Sequence, residues 1–507
     1  MTQPHQPVRA EHDSAVELLG QALNPDQRSR VLFVSFTQWD FALGALAEIA
    51  LALRAQGAAL TMAFWTDRTP LRDPGWSSSG RLSKLLGKSS RDQNAIAALK
   101  AAGVPEQSFI SPPLRGWKPS APIAITAPMN RTQIRALTYH GSPMGRAILQ
   151  VNPDTETPIT DSFYWSKRWL QAAARSYAFV FDQTLETIRR GQITAVVVYN
   201  GRFLHDRAAS AAAEFAGIPV LYYDAGGIDT DFDVTDAVTH DWSDLQRRML
   251  AMYEKWPAPQ RDEIGSSWFE ERRQHIAPNN ALFVEAQRLG ETIDVANATR
   301  VVVYFSSSGD EIAELELDWS TFFGTQEQTL QLLADECRRQ PGTTLVVRSH
   351  PHMRMKPKQD LVEWMQAVER AAPDIHLDPY STVDSYALME QADVVVTYGS
   401  TTGVEAAYAG RPVIVMGPSA YDQLGCARFV ATPDELSAAL VDTPVGSKQA
   451  AISYGLMMRR RGLMHEFVTR DPAAGFSIGE QRLDDAPILV QHVGHAYKRL
   501  QKWRLSR

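Results

Sequence analysis

Residues 393–416 read Asp393-Val-Val-Val-Thr-Tyr-Gly-Ser400-Thr-Thr-Gly-Val-Glu405-Ala-Ala-Tyr-Ala-Gly410-Arg-Pro-Val-Ile-Val-Met416. Two β-branched runs, 394–396 and 413–415, flank an alanine-rich stretch with glycine at either end. Unbroken valine and isoleucine suit strands buried on both faces, and the stretch between them suits a crossover helix over 402–409. Strand, helix and strand at this spacing make a parallel pair with a right-handed crossover.

The same rhythm runs upstream. Strands are predicted at 300–305, 343–348 and 374–378, and helices at 325–340, 359–371 and 382–391. An earlier series predicts strands at 31–36, 58–65, 195–199 and 220–223, with helices at 41–56 and 206–216. Gly57 suits the C-cap of the first of these helices, and Pro219 the start of a strand, where its missing N–H does least harm. The fold class is therefore α/β, with two doubly wound Rossmann-like domains facing across a cleft. The expected domains are 1–295, 296–447 and a helical tail over 448–507 that packs back on the first. Residues 67–161, rich in Ser, Pro, Gly and Arg, read as long loops around short helices. Residues 237–295 read as mainly helical, with a break at Trp256-Pro257.

Composition sets the outer bounds. With 507 residues, 44% hydrophobic and 21% charged, the chain can build more than one full core. Fifty-one basic against 58 acidic residues give a net charge of −7, so no nucleic-acid partner is expected. Only Cys337 and Cys426 occur, which excludes a disulfide scaffold and a cysteine zinc site. The first 20 residues lack the apolar core of a signal peptide, and the apolar stretch 41–65 is broken by Glu48, Arg54 and Gln56. A cytoplasmic protein is expected. The basic end, with Lys498, Arg499, Lys502, Arg504 and Arg507, suits peripheral contact with the inner face of a membrane, or a plain solvated helix end.

Open parallel sheets bind ligands outside the carboxyl ends of their strands. Arg348 closes one strand and Ser349-His350-Pro351-His352 follows it, placing an imidazole and a guanidinium where a phosphate would lie. After 394–397 come Ser400, Thr401 and Thr402, hydroxyls at a helix start, with Glu405 one turn on to meet ribose hydroxyls. Ser306 and Ser307 follow the strand at 300–305. In the first domain, Asp40 is the candidate general base, and Asn200, Arg202 and Asp224 are candidates for holding an acceptor. The plainer readings are a solvated turn at His350, helix caps at Ser400 and Asp40, and an ion-pair partner at Arg202. No metal is expected. His350 and His352 lack a helical i,i+4 pairing, and the Asp-x-Asp pairs in Asp229-Thr-Asp231-Phe-Asp233 are a weak motif placed in a loop.

The segment from Leu345 to Val415, with His350-Pro351, the Ala392-Asp393 strand, the Gly399-Ser400 turn, Glu405 and Gly410-Arg-Pro412-Val, resembles the donor-binding domain of GT-B glycosyltransferases. It is most similar to the capsule polysaccharide biosynthesis proteins, which include Kdo (3-deoxy-manno-octulosonate) transferases. That resemblance implies a GT-B fold and a metal-independent glycosyltransferase. It implies a nucleotide-sugar donor such as CMP-Kdo or a nucleoside-diphosphate sugar, no other cofactor, and a glycan or lipid-linked acceptor. It also implies that His350 and the turn at Ser400–Thr402 meet the donor phosphate, with Glu405 on its sugar or ribose. Two alternatives stay open. UDP-N-acetylglucosamine 2-epimerases share the fold but favour a second Glu where Ala406 stands, and a non-catalytic sugar-nucleotide-binding component of an assembly complex would use the same cleft.

Overall fold

The computed structural model describes residues 29–36, 40–65, 91–111, 116–150, 162–228, 230–239, 241–277, 281–308, 314, 323–471 and 475–483. Contacts divide them into two units: residues up to 239 together with those from 461 onward, and residues 240–460.

The first unit opens with β1 (Arg30–Ser35), α1 (Asp40–Ala55), β2 (Ala59–Phe64), α2 (Arg91–Ala101) and β3 (Phe109–Ile110). Short helices α3 (Arg131–Arg135) and α4 (Met144–Leu149) precede the long α5 (Lys167–Gly191). The chain continues through β4 (Ala195–Tyr199), α6 (Leu204–Phe215), β5 (Val220–Ala225) and β6 (Asp231–Thr235). Strands β3-β2-β1-β4-β5 lie parallel in that order, and β6 adds antiparallel to β5. The strand order reverses between β1 and β4, the topological switch point. Leu32, Val34, Val196 and Val198 pack with α5 and α6 on one face, while Val31, Phe33, Val197 and Leu221 pack with α1 on the other. Sheet burial on both faces is what the unbroken valine runs required.

Two readings are corrected here. Residues 231–235 are strand β6 and not a loop, because Phe232 turns into the core and Asp224 pairs with Asp233 across the ladder. Helix α5 went unpredicted, although Ser166 caps its start and Gln192, at φ +48, closes its end. Its apolar residues face a core made largely by other segments.

The second unit begins with α7 (Trp242–Lys255), α8 (Ala258–Arg273) and α9 (Ala281–Val284). It then alternates β7 (Arg300–Phe305), α10 (Gln326–Arg339), β8 (Thr343–Arg348), α11 (Lys358–Ala371), β9 (Ile375–Leu377), α12 (Ser385–Gln391), β10 (Val394–Thr397), α13 (Thr402–Tyr408) and β11 (Val413–Val415). Strand β12 (Arg428–Phe429), α14 (Pro433–Val441) and α15 (Lys448–Arg460) complete it. All six strands are parallel, in the order β9-β8-β7-β10-β11-β12, with the switch point between β7 and β10. Each unit is thus a doubly wound Rossmann-like domain, the composition of the GT-B class.

The expected boundary at 295/296 is not where contacts part. Helices α7 and α8 belong with the second sheet, and α15 packs on α8 through Gly265 and Gly455. A Cβ on Gly455 would lie 2.2 Å from the Gly265 carbonyl oxygen, so only glycine permits this crossing. The helical tail is corrected over residues 461–471 and 475–483, the part of it beyond Arg460 that is described. Helix ends at Arg460, and β13 (Leu463–Met464), β14 (Thr469–Asp471), β15 (Gly475–Ile478) and β16 (Gln481–Arg482) follow. Glycines 462, 475 and 479 take positive φ, which breaks helix, and β13 joins the first sheet antiparallel to β6. The basic residues from 498 onward lie outside the described residues. No helix among the described residues is long and apolar enough to cross a membrane.

Candidate functional site

At the switch point of the second unit lies a cleft of about 370 Å³. Ser306, Ser307, Arg348, His350, Pro351, Ser400, Thr401, Thr402 and Glu405 all line it, so the sequence-derived donor residues come together. Arg348 is the last residue of β8, and the others stand just beyond a strand end or in the first turn of the next helix, where a parallel sheet leaves backbone and side chains uncovered.

Local hydrogen bonds fix the loops. The His350 backbone N–H donates to Ser306 Oγ at 2.8 Å, joining the ends of β7 and β8. Pro351 starts a 3-10 turn, in which the His352 N–H donates to His350 Nδ1 at 3.2 Å. A neutral His350 ring therefore carries its proton on Nε2. Ser349 is fully buried; its hydroxyl accepts from Trp364 Nε1 at 2.8 Å and meets His376 Nε2 at 2.9 Å. After β10, Gly399 has φ +87, and a Cβ there would lie 1.9 Å from the Pro418 carbonyl oxygen. The Ser400 and Thr402 hydroxyls are 3.0 Å apart.

Two charged groups dominate the electrostatics. Arg348 is 2% exposed, and its guanidinium donates to the carbonyl oxygens of Asp378 at 3.0 Å and Ser381 at 3.3 Å. Its Nε has no hydrogen-bond partner. Burial pushes the guanidinium down to about 10, against the pull of Asp378 and Asp384, so it is still a cation at neutral pH. Glu405 is also buried. Desolvation raises its carboxyl, while the Arg272 guanidinium, 3.9 Å away, and hydrogen bonds from Tyr386 and Thr401 oppose the rise. Arg272 in turn lies over the Trp268 ring, 4.0 Å from its centroid. The cleft thus offers a buried cation, an imidazole and several hydroxyls to an anion, and a carboxylate to hydroxyl donors.

Sequence reasoning missed Arg272, Trp242, Phe283 and Tyr386, which also line the cleft. The first three come from helices placed in the other domain. Tyr386 opens α12, where Asp384 caps the helix, and its position after β9 was the available signal.

In the first unit, Asn200 follows β4 in the left-handed region, at φ +55, and its amide nitrogen donates to Asp224 Oδ2 at 2.6 Å. Asp224 Oδ1 accepts the Ala225 N–H at 2.8 Å. Arg202 lies over the Phe203 ring, 5.0 Å from its centroid. Asp40 opens α1, and its side chain lies outside the described residues. Asp229 lies outside them too. Among the described residues, no group of three His, Cys, Asp or Glu side chains is arranged to hold a metal.

Residues 313–433 match the family model of the capsule polysaccharide biosynthesis protein. That span holds β8 to β11 and most of the cleft. No curated protein matches the chain. Solved structures with a remote likeness include Thermosulfurimonas dismutans KpsC, a beta Kdo 2,4 transferase, at 15% identity over 52% of this chain and 79% of that one, TM-score 0.33. The beta Kdo 2,7 transferase of the same organism's KpsC gives 16% identity over 54% and 88%, TM-score 0.31. Acinetobacter baumannii MurG gives 13% identity over 93% and 100%, TM-score 0.26. Likenesses this remote carry no argument about activity.

Proposed function

We propose that the protein is a glycosyltransferase of bacterial surface-polysaccharide assembly, and that its second unit holds a nucleotide-activated sugar. One observation carries the reading. The residues that line the cleft at β8 and β10, from Arg348 to Glu405, fall inside the span matching the capsule polysaccharide biosynthesis model. Their chemistry supports it. Transfer from a sugar nucleotide builds negative charge on the departing phosphate, and Arg348, an Nε2–H of His350 and the hydroxyls of Ser400, Thr401 and Thr402 are suited to meet that charge. Glu405 suits ribose or sugar hydroxyls, and Phe283, Tyr386 and Met389 supply apolar lining. The donor is CMP-Kdo or a nucleoside-diphosphate sugar, and the reading includes no metal. The acceptor is a glycan or lipid-linked glycan, held in the first unit by Arg202 and by Asp224 with Asn200 behind it. Asp40 is the proposed base, and the reaction takes place on the cytoplasmic side, with the basic terminal residues against lipid.

The test has two stages. Thermal-shift screening against CMP-, UDP-, GDP- and TDP-sugars identifies the donor, because a bound ligand stabilises the folded state. Nucleotide release is then followed with and without lipid-linked glycan. Acceptor-dependent release, lost in His350→Ala and Glu405→Ala, is the expected result. Near wild-type rates in both variants would overturn the site. Epimer interconversion without acceptor, or donor binding with no turnover, would overturn the transferase.

A further inference from the structure

Arg272 stands on α8, outside the matched span 313–433 and outside the residues that the transferase reading uses, yet it lines the cleft of the second unit. Its helix is held in register with α13, which carries Thr402 and Glu405. The Phe269 and Tyr408 rings stack with centroids 4.3 Å apart and planes 4° apart, and the Tyr408 hydroxyl donates to Glu270 Oε1 at 2.9 Å. One turn along each helix, Arg272 Nη1 lies 3.9 Å from Glu405 Oε1. The two side chains are 13% and 8% exposed, and the Trp268 ring backs the guanidinium. The ring stack thus fixes where Arg272 sits, and Arg272 supplies the positive charge that Glu405 meets.

That charge bears on what Glu405 can accept. A carboxylate offers about four lone-pair sites, and a protonated carboxyl gives up part of that capacity to its own O–H. Tyr386 and Thr401 each donate a hydrogen bond to Glu405. The Arg272 contact is longer than a hydrogen bond, so it adds charge without taking a site. The capacity left over suits two adjacent hydroxyls. Burial works against it, because desolvation raises the carboxyl, and Arg272 is the largest opposing influence, ahead of Tyr386 and Thr401.

We infer that Arg272 is a positioning residue, and that through Glu405 it makes the cleft select nucleotides with a ribose 2′,3′-diol over their 2′-deoxy counterparts. Resting on the nucleotide reading of the cleft, this narrows the donor to a ribonucleotide-activated sugar. TDP-sugars, whose deoxyribose lacks the 2′-hydroxyl, would leave a buried carboxylate short of one donor. Charged and titratable groups stand on every element around Glu405. On α8 they are Glu270, bonded to Tyr408, Glu271, paired with Arg459 of α15, and Arg273, paired with Glu390 of α12. Lys448 of α15 lies over the Tyr408 ring, 4.3 Å from its centroid, and Arg348 and His350 line the same cleft.

Calorimetric titration of the full-length protein with CMP, UDP and GDP, each beside its 2′-deoxy form, from about pH 5 to about pH 8, tests the assignment. Wild type is expected to bind the ribose form of the preferred nucleotide about tenfold or more tighter than the deoxy form at neutral pH. The ratio of the two affinities cancels the titration of the nucleotide phosphate and of His350, which act on both forms alike. It should fall as the pH drops and Glu405 gains a proton. In Arg272→Met that fall moves to higher pH, and at neutral pH the ratio shrinks several-fold while affinity for the deoxy form is unchanged. Arg272→Lys, which keeps the charge, keeps the fall nearer its wild-type position. Arg272→Gln takes the place of the Met variant if that one does not fold. A general loosening of α8 would weaken both forms equally, so an unchanged ratio and an unmoved pH profile in the uncharged variant would overturn the inference. Equal affinities for the ribose and deoxy forms in wild type would overturn it as well, with the nucleotide reading intact. Failure of wild type to bind any of these nucleotides would overturn that reading and this inference together.

Discussion

The Tyr421 hydroxyl donates to the Ser400 carbonyl oxygen at 2.6 Å and meets the Thr397 hydroxyl at 3.0 Å. One fully buried phenol thus ties the end of β10 to the turn that carries the cleft hydroxyls. The same ring bars any side chain at Gly403, where a Cβ would lie 2.1 Å from its oxygen. Tyr421→Phe keeps the packing and deletes both bonds, leaving a buried carbonyl less satisfied. We expect a loss of about 1–2 kcal/mol in urea unfolding, and nucleotide affinity weaker by several-fold as the turn loosens. Wild-type values for both would show that Gly399 and the Ser400–Thr402 contact hold the turn alone.

Arg348 makes a contrasting prediction, in which stability and binding part company. Its guanidinium is buried against two carbonyl oxygens, an arrangement that costs desolvation and is repaid only in part. Arg348→Met fills a similar volume without the charge. The variant should match or exceed wild-type stability while losing tenfold or more in affinity for CMP or pyrophosphate, about 1.4 kcal/mol or more. Calorimetric titration with both ligands reads this directly, and retained affinity would place the anion elsewhere.

These two sites differ in how far the sequence disclosed them. Arg348, His350, Ser400 and Glu405 were legible because parallel sheets put ligands at strand ends, and valine runs mark those ends. Tyr421 was not, because nothing local links it to Ser400, 21 residues earlier. Arg272 and Phe283 were hidden for a related reason: their helices precede β7 yet pack with the second sheet. Strand β6 was masked by three aspartates within residues 229–233, which read as turn chemistry until Phe232 and Val234 are seen against the core. The strands after Arg460 were hidden by the alanine- and methionine-rich run before them, which extends a helical pattern past Gly462.

Glu405 predicts a pH dependence with a definite sign. Desolvation raises its carboxyl above the ordinary 4.5, so the folded state holds that proton more tightly than the unfolded chain does. Between the two values the folded state binds more protons, and stability must fall as pH rises through that window. Glu405→Gln removes this contribution. The variant should track wild-type stability at low pH and exceed it progressively above the ordinary carboxyl value, while donor affinity drops. Urea unfolding across the acidic range checks the slope. A variant curve parallel to wild type throughout would mean that the Arg272 contact fully offsets burial.

Glu48 gives the sharpest test of how the end of the chain is held. Its carboxylate is fully buried on α1 and accepts the backbone N–H groups of Glu466, Phe467 and Val468 at 2.9, 2.9 and 2.8 Å. Those donors belong to the segment between β13 and β14, more than 400 residues away along the chain. Burial still outweighs the bonds, so the carboxyl is raised from its ordinary value, with the opposing pull of three N–H groups next in size. Glu48→Ala strands these donors and opens space beneath Val468. A loss of about 3 kcal/mol or more is expected, since each unsatisfied buried donor costs about 1–3 kcal/mol. Glu48→Gln keeps one acceptor oxygen and should lose less than half as much. Amide exchange at residues 466–468 distinguishes the cause: it should quicken far more than exchange in β1 or β4. Uniform quickening across the first unit would instead mark a general loss of packing around α1.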